Sequence, residues 1–158
     1  MSMRKVLVLA ALAGCYHRDA QPAPANTDPT PPPVAAPAPP PPPPDPLAQQ
    51  LERGKTLYGA HCATCHGDRG EGDPASKAPP LVGKDAFPLD ARPGYNREVK
   101  FRTAADVLWW AAKEMPGDAP GSLAVDEYVA IVAFDLAANG IVLERPLDPA
   151  MAQTIALH

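Results

Sequence analysis

The sequence predicts a small all-α domain of three to five helices, carried behind a long segment that builds no core. Three observations lead there. Apolar residues recur at helical spacing in three stretches, and none alternates with the period of two that marks a strand. Proline is partitioned, with 14 of its 23 occurrences between Pro22 and Pro46. The 158 residues leave room for one ordinary domain and not two. The expected division is a leader over residues 1–14, a solvated segment over 15–46, the domain over 47–145 and a tail over 146–158.

Arg4 and Lys5 form a short basic start, Val6 to Ala13 is an unbroken apolar run, and Leu12-Ala13-Gly14-Cys15 follows. A basic start, an apolar stretch and small residues before a cut site make a secretory signal. Eight apolar residues fall well short of the roughly 20 that span a bilayer. The run also lacks the amphipathic spacing of a fold-building helix. Leu-Ala-Gly-Cys resembles the bacterial lipobox. That resemblance implies cleavage before Cys15 and acylation of its sulfur, and several acyl chains anchor durably where one is marginal. Tyr16 stands where an Asp usually marks retention in the inner membrane, so the resemblance leans to a periplasmic protein anchored in the outer membrane.

From Pro22 to Pro46 almost no side chain can build a core, and Pro39 to Pro44 is an uninterrupted run. Such a segment cannot offset the entropy of ordering and stays solvated in polyproline II form. At about 3.1 Å per residue it reaches on the order of 80 Å from an anchor. No basic residue flanks the tract, so a spacer is favoured over a ligand for an aromatic groove.

Within the domain, Leu51, Leu57 and Tyr58 mark a first helix. Thr103-Ala104-Ala105-Asp106 resembles a capping box with a shortened acid, opening a second helix through Val107, Leu108, Trp109 and Ala111 that Pro116 ends. Val125, Tyr128, Val129, Val132, Phe134 and Leu136 mark a third, stopped at Asn139-Gly140, with Ser122 as a candidate cap. Lys84 to Arg102 is polar and charged and reads as a surface loop.

The chemistry lies in Cys62-Ala63-Thr64-Cys65-His66. C-x-x-C-H is the spacing of covalent haem attachment. Two thiols two residues apart on a turning backbone can each add to one porphyrin vinyl group, and the next residue projects its imidazole onto the iron. Cys62 and Cys65 are thus the expected thioether residues and His66 the proximal ligand. A thioredoxin-like pair would sit in an α/β chain with strand signals, and none are visible. Half of a zinc site would need a second Cys or His pair; only His61, adjacent and read as a solvated turn residue, and the terminal His158 remain.

The flanks widen the match. Gly54-Lys55-Thr56-Leu57-Tyr58 precedes the motif. Gly67, Gly70, Gly72 and Ala78-Pro79-Pro80-Leu81 follow it, then Met115-Pro116, Leu123 and the stretch from Asp126 to Phe134. Together, over roughly Leu47 to Ile141, these resemble a class I cytochrome c domain, helices wrapped around one covalent haem c. The resemblance implies that Met115 is the sixth ligand of the iron and that the Pro79 carbonyl accepts the His66 Nδ1 proton. It also implies that Gly54 and Tyr58 cross the last helix near Ile131 and Phe134. The family usually opens that helix with Ser or Thr, where this chain has Ala124. A methionine between two helices, followed by proline, otherwise reads as a gap-filling core residue. Trp109 and Trp110 read equally as helix core or as haem neighbours.

His/Met ligation raises the reduction potential and leaves iron no open position. The expectation is therefore a carrier of single electrons between periplasmic redox partners, with no catalytic residues of its own. The alternative is the cytochrome subunit of a periplasmic dehydrogenase, which Pro120-Gly121-Ser122-Leu123 and Ala137-Ala138-Asn139-Gly140 resemble. A formal charge of -4, without a basic stripe, gives no reason to expect nucleic acid as a partner. The expected partners are redox proteins, with the membrane met through the lipid anchor.

Overall fold

Among the described residues five helices follow in chain order: α1 (Pro46–His61), α2 (Ala63–His66), α3 (Ala104–Glu114), α4 (Val125–Ala138) and α5 (Pro149–Thr154). The structure is a computed structural model and describes residues 43–158 except residue 96. The expected leader, Cys15 and the proline tract to residue 42 lie outside the described residues. Among the described residues there is no strand, only the isolated bridges Asp73–Ala78 and Thr103–Ala156. No helix there is long and apolar enough to cross a membrane.

α1 begins where the proline run ends, because Pro46 suits the first helical turn and the Asp45 carboxylate accepts the Leu47 N–H at 3.0 Å. It buries Gly54 and Tyr58 against α4. Contact is close: a Cβ added to Gly54 would lie 2.0 Å from the Ala130 carbonyl oxygen and 2.9 Å from the Phe134 Cβ. Glycine is what lets the two backbones meet there. The crossing is the expected one, centred on Ala130 and Phe134, and the Tyr58 and Phe134 rings lie 5.6 Å apart.

α3 opens as its sequence predicts. Asp106 Oδ2 accepts the Thr103 N–H at 2.8 Å and the Thr103 hydroxyl at 3.0 Å. α4 opens differently from expectation. Ser122 does not cap it; Ala124 is the N-cap, and Glu127 reaches back to accept the Ala124 N–H at 2.9 Å. The acidic half of a capping box therefore works here without its hydroxyl partner. α4 ends at Asn139-Gly140, where the Ile141 N–H reaches the Leu136 carbonyl at 3.0 Å and that of Gly140 reaches Ala137 at 2.9 Å.

Two expectations need correction. Residues 146–158 are not a trailing tail. Leu147 and Ala152 are buried in the core, α5 packs on α3, and the Leu157 N–H bonds the Arg102 carbonyl at 2.9 Å. Nor is the stretch from Lys84 to Arg102 purely surface. It sends Phe87 and Phe101 into the core, with the Arg97 guanidinium 3.7 Å above the Phe101 ring. Trp110 packs edge-on against Phe101 at 6.4 Å, whereas Trp109 is half exposed.

Candidate functional site

The attachment motif is a turn at the end of α1. The Cys62 N–H closes α1 on the Tyr58 carbonyl at 2.8 Å, and the His66 N–H bonds the Cys62 carbonyl at 2.9 Å, which winds residues 63–66 into α2. One helical turn therefore separates the first thiol from the imidazole. Neither cysteine is bridged to the other. Burial, helped by the charges of Asp135 and Cys65, pushes the Cys62 thiol up to about 12. A thiol held in its protonated form is a poor nucleophile in disulfide exchange.

His66 is buried. Its Nδ1 lies 2.8 Å from the Pro79 carbonyl oxygen. Burial pulls the imidazole below its ordinary range and that carbonyl opposes the shift, so the ring is neutral, as a metal ligand must be. With Nδ1–H donated to Pro79, Nε2 is left with its lone pair. No hydrogen bond among the described residues involves that nitrogen. The donor set fits a covalent porphyrin: two free thiols, then a neutral imidazole oriented by a backbone carbonyl. A protein-only metal cage does not fit, since no three His, Cys, Asp or Glu side chains among the described residues form a metal-holding group.

The loop that presents Pro79 is shaped by close backbone approaches. Gly72 has φ +78°, and a Cβ there would lie 2.7 Å from the Pro80 nitrogen. Its N–H bonds the His66 carbonyl at 2.7 Å. The returning arm of the loop is held by Asn139, whose Oδ1 accepts the Gly83 N–H at 2.9 Å and whose Nδ2 donates to the Leu81 carbonyl at 2.8 Å. The residue that ends α4 thus also ties down the segment following Pro79.

Met115 is the C-cap of α3, in extended conformation, and is partly buried. Its carbonyl accepts the Tyr128 hydroxyl at 2.6 Å and the Gly121 N–H at 3.2 Å. The methionine backbone is therefore anchored to α4. Two other side chains able to ligate iron stand elsewhere: His61 is exposed at the end of α1, and Met151 packs against the core from α5. Tyr128, Asn139 and Asp135 escape sequence reasoning as site residues. Tyr128 and Asn139 read only as helix core and helix stop. Asp135 lies on α4, 4% exposed, and its Oδ1 has no hydrogen-bond partner among the described residues.

Comparison with known proteins agrees with this geometry. Residues 51–134 match the cytochrome c family. The chain is 36% identical over 106 residues, 65% of its length, to a thiosulfate dehydrogenase from Stutzerimonas stutzeri (strain A1501), of which the match covers 30%. Its fold resembles a chain in the crystal structure of the sulfane dehydrogenase SoxCD from Paracoccus pantotrophus, with TM-score 0.52 and 30% identity over 68% of this chain and 52% of that one. The chain thus spans less than a third of the first relative and about half of the second. With more than half of its residues matched, this chain belongs to the cytochrome c family, the electron-transferring proteins that hold haem c covalently.

Proposed function

We propose that this chain is a mono-haem electron carrier in which Cys62 and Cys65 hold haem c by thioether bonds and His66 and Met115 are its axial ligands. Haem c supplies a one-electron couple when bound. The protein's part is to fix that couple's surroundings. His66 offers Nε2 because Pro79 occupies Nδ1 at 2.8 Å, and this observation carries the reading. Tyr128, by gripping the Met115 carbonyl, holds the thioether residue on its loop. Two strong-field protein ligands leave no coordination position for a substrate, which suits a carrier rather than a catalyst. Mass spectrometry of the exported product, with a haem stain on a denaturing gel, tests the attachment. Added porphyrin mass that disappears in Cys62→Ala/Cys65→Ala is the expected result, and a product of unmodified mass refutes it.

The proposed setting is the periplasm. Cys15 would anchor the chain by lipid, with the outer membrane favoured, and residues 15–46 would tether the cytochrome domain. Supporting this are the basic-apolar start, the Leu-Ala-Gly-Cys sequence and the proline tract. The partners are redox proteins.

A second reading, that the chain is the cytochrome component of a dehydrogenase, is supported by its likeness to a thiosulfate dehydrogenase and to a sulfane dehydrogenase. Co-purification from its native membrane separates the two. A carrier elutes alone, and a component brings a catalytic protein with it.

A further inference from the structure

Asp135 has no role in the site as described, and it is placed where an ordinary structural residue would not be. It sits in the last turn of α4, 4% exposed, and its Oδ1 has no hydrogen-bond partner among the described residues. No cation is paired with it there. Tyr58 and Cys62, on and just after α1, are the titratable groups its charge reaches. Asp68 and Glu71 bring their negative charge to bear on Tyr58. α3, which also packs on α4, carries Asp106, bonded to Thr103, and the pair Lys113–Glu114, 2.9 Å apart. An isolated buried carboxylate is costly, so the group favours its neutral form unless positive charge appears nearby. Burial alone raises it, to about 8.

On the reading of Cys62 as a haem thioether, the cofactor's edge is bonded to one of the two side chains that Asp135 acts on. We propose that Asp135 binds one proton from solvent when the iron is reduced and returns it on oxidation, so that the chain carries a proton with its electron. The balance is simple. A redox partner supplies one electron, ferric iron becomes ferrous, and the carboxylate plus one solvent proton becomes a carboxylic acid. Oxidation reverses each change. The driving force is electrostatic. Ferric iron favours the carboxylate, reduction removes that positive charge, and the low dielectric of the interior enlarges the difference. Linkage makes the effect reciprocal: a proton held more tightly by the reduced form makes reduction easier at low pH.

The test is an optical redox titration of the full haem-loaded chain from pH 5 to 10. The wild type should show a midpoint that is level at acid pH, falls with rising pH, and levels again. The falling span is about one pH unit wide, for a proton bound about tenfold more tightly by the reduced form. Asp135→Asn should hold the acid-side midpoint throughout. A redox-difference infrared spectrum of the wild type should show the carbonyl stretch of a protonated carboxyl gained on reduction. If Asp135→Asn does not load haem, Asp135→Leu serves in its place, and the infrared band in the wild type stands independently of both. A pH-independent wild-type midpoint, or the wild-type slope persisting in the variant, overturns the inference and leaves the haem assignment intact. A wild-type chain without any haem absorbance overturns both.

Discussion

At the scale of single residues, the assignment of Met115 as an iron ligand is the part of the proposal most exposed to experiment. Met115→Ala should abolish the weak near-infrared band that arises from sulfur-to-iron charge transfer, and should let imidazole or carbon monoxide bind. The potential should fall, by some fraction of the roughly 0.8 V over which axial ligands set haem couples. An unchanged spectrum would move the ligand to another side chain, with Met151 and His61 the reserves. Tyr128→Phe is the gentler probe. It removes the hydroxyl that bonds the Met115 carbonyl at 2.6 Å while keeping the ring, which is 3% exposed. The cost should be about 0.5–1.5 kcal/mol of stability, with faster displacement of the thioether by imidazole in stopped-flow mixing. A variant that loses stability but binds imidazole at the wild-type rate would show that the hydroxyl holds the fold and not the ligand.

At the scale of elements, the crossing of α1 and α4 fixes where Cys62 emerges. Gly54→Ala brings a Cβ to 2.0 Å from a backbone oxygen of α4. Backbone cannot step aside as a flexible side chain can, so the helices must separate. Alanine gains about 1 kcal/mol of helix propensity, but overpacking costs about 1–3 kcal/mol. The net effect on guanidinium unfolding should be destabilising by up to about 2 kcal/mol; a more stable variant would mean that the crossing is looser than described. This crossing was legible through the resemblance to a class I cytochrome c domain, which sets Gly54 and Tyr58 against the last helix; helical spacing alone gave the two helices and not their meeting point. The attachment motif was legible for a different reason, since its chemistry demands adjacent residues. Residues 146–158 were not legible. α5 has six residues, too few for periodicity to register, and Leu147 and Leu157 are held by long-range contacts. Phe87 and Phe101 likewise sit in a segment without a period, and only the tertiary fold shows them buried. Asn139 read as a stop signal because its second task, tying Leu81 and Gly83 to α4, spans more than fifty positions.

For the molecule as a whole, Asp135 sets a local requirement against global stability. In a sequence it passes as one more solvated acid on a helix, because nothing local marks the face that α1 will cover. Once covered, the carboxyl is raised to about 8 by burial, against about 3.9 in an unfolded chain. The folded state then keeps a proton that the unfolded state gives up. Stability contributed by the neutral acid is complete below about pH 4 and is lost as pH climbs towards 8, the reverse of the usual salt-bridged carboxylate. Guanidinium unfolding of the haem-loaded, reduced protein at pH 5 and pH 8 should therefore show the wild type losing more stability than Asp135→Leu. At pH 8 the leucine variant should be the more stable of the two by about 1–3 kcal/mol, the usual cost of an unsatisfied buried polar group. Parallel pH profiles in the two proteins would mean that the carboxyl finds a partner or water when the domain is loaded. A variant that is more stable yet has lost the pH dependence of its potential would show an acid retained in the core for what it does with protons, at a site where packing alone would favour leucine.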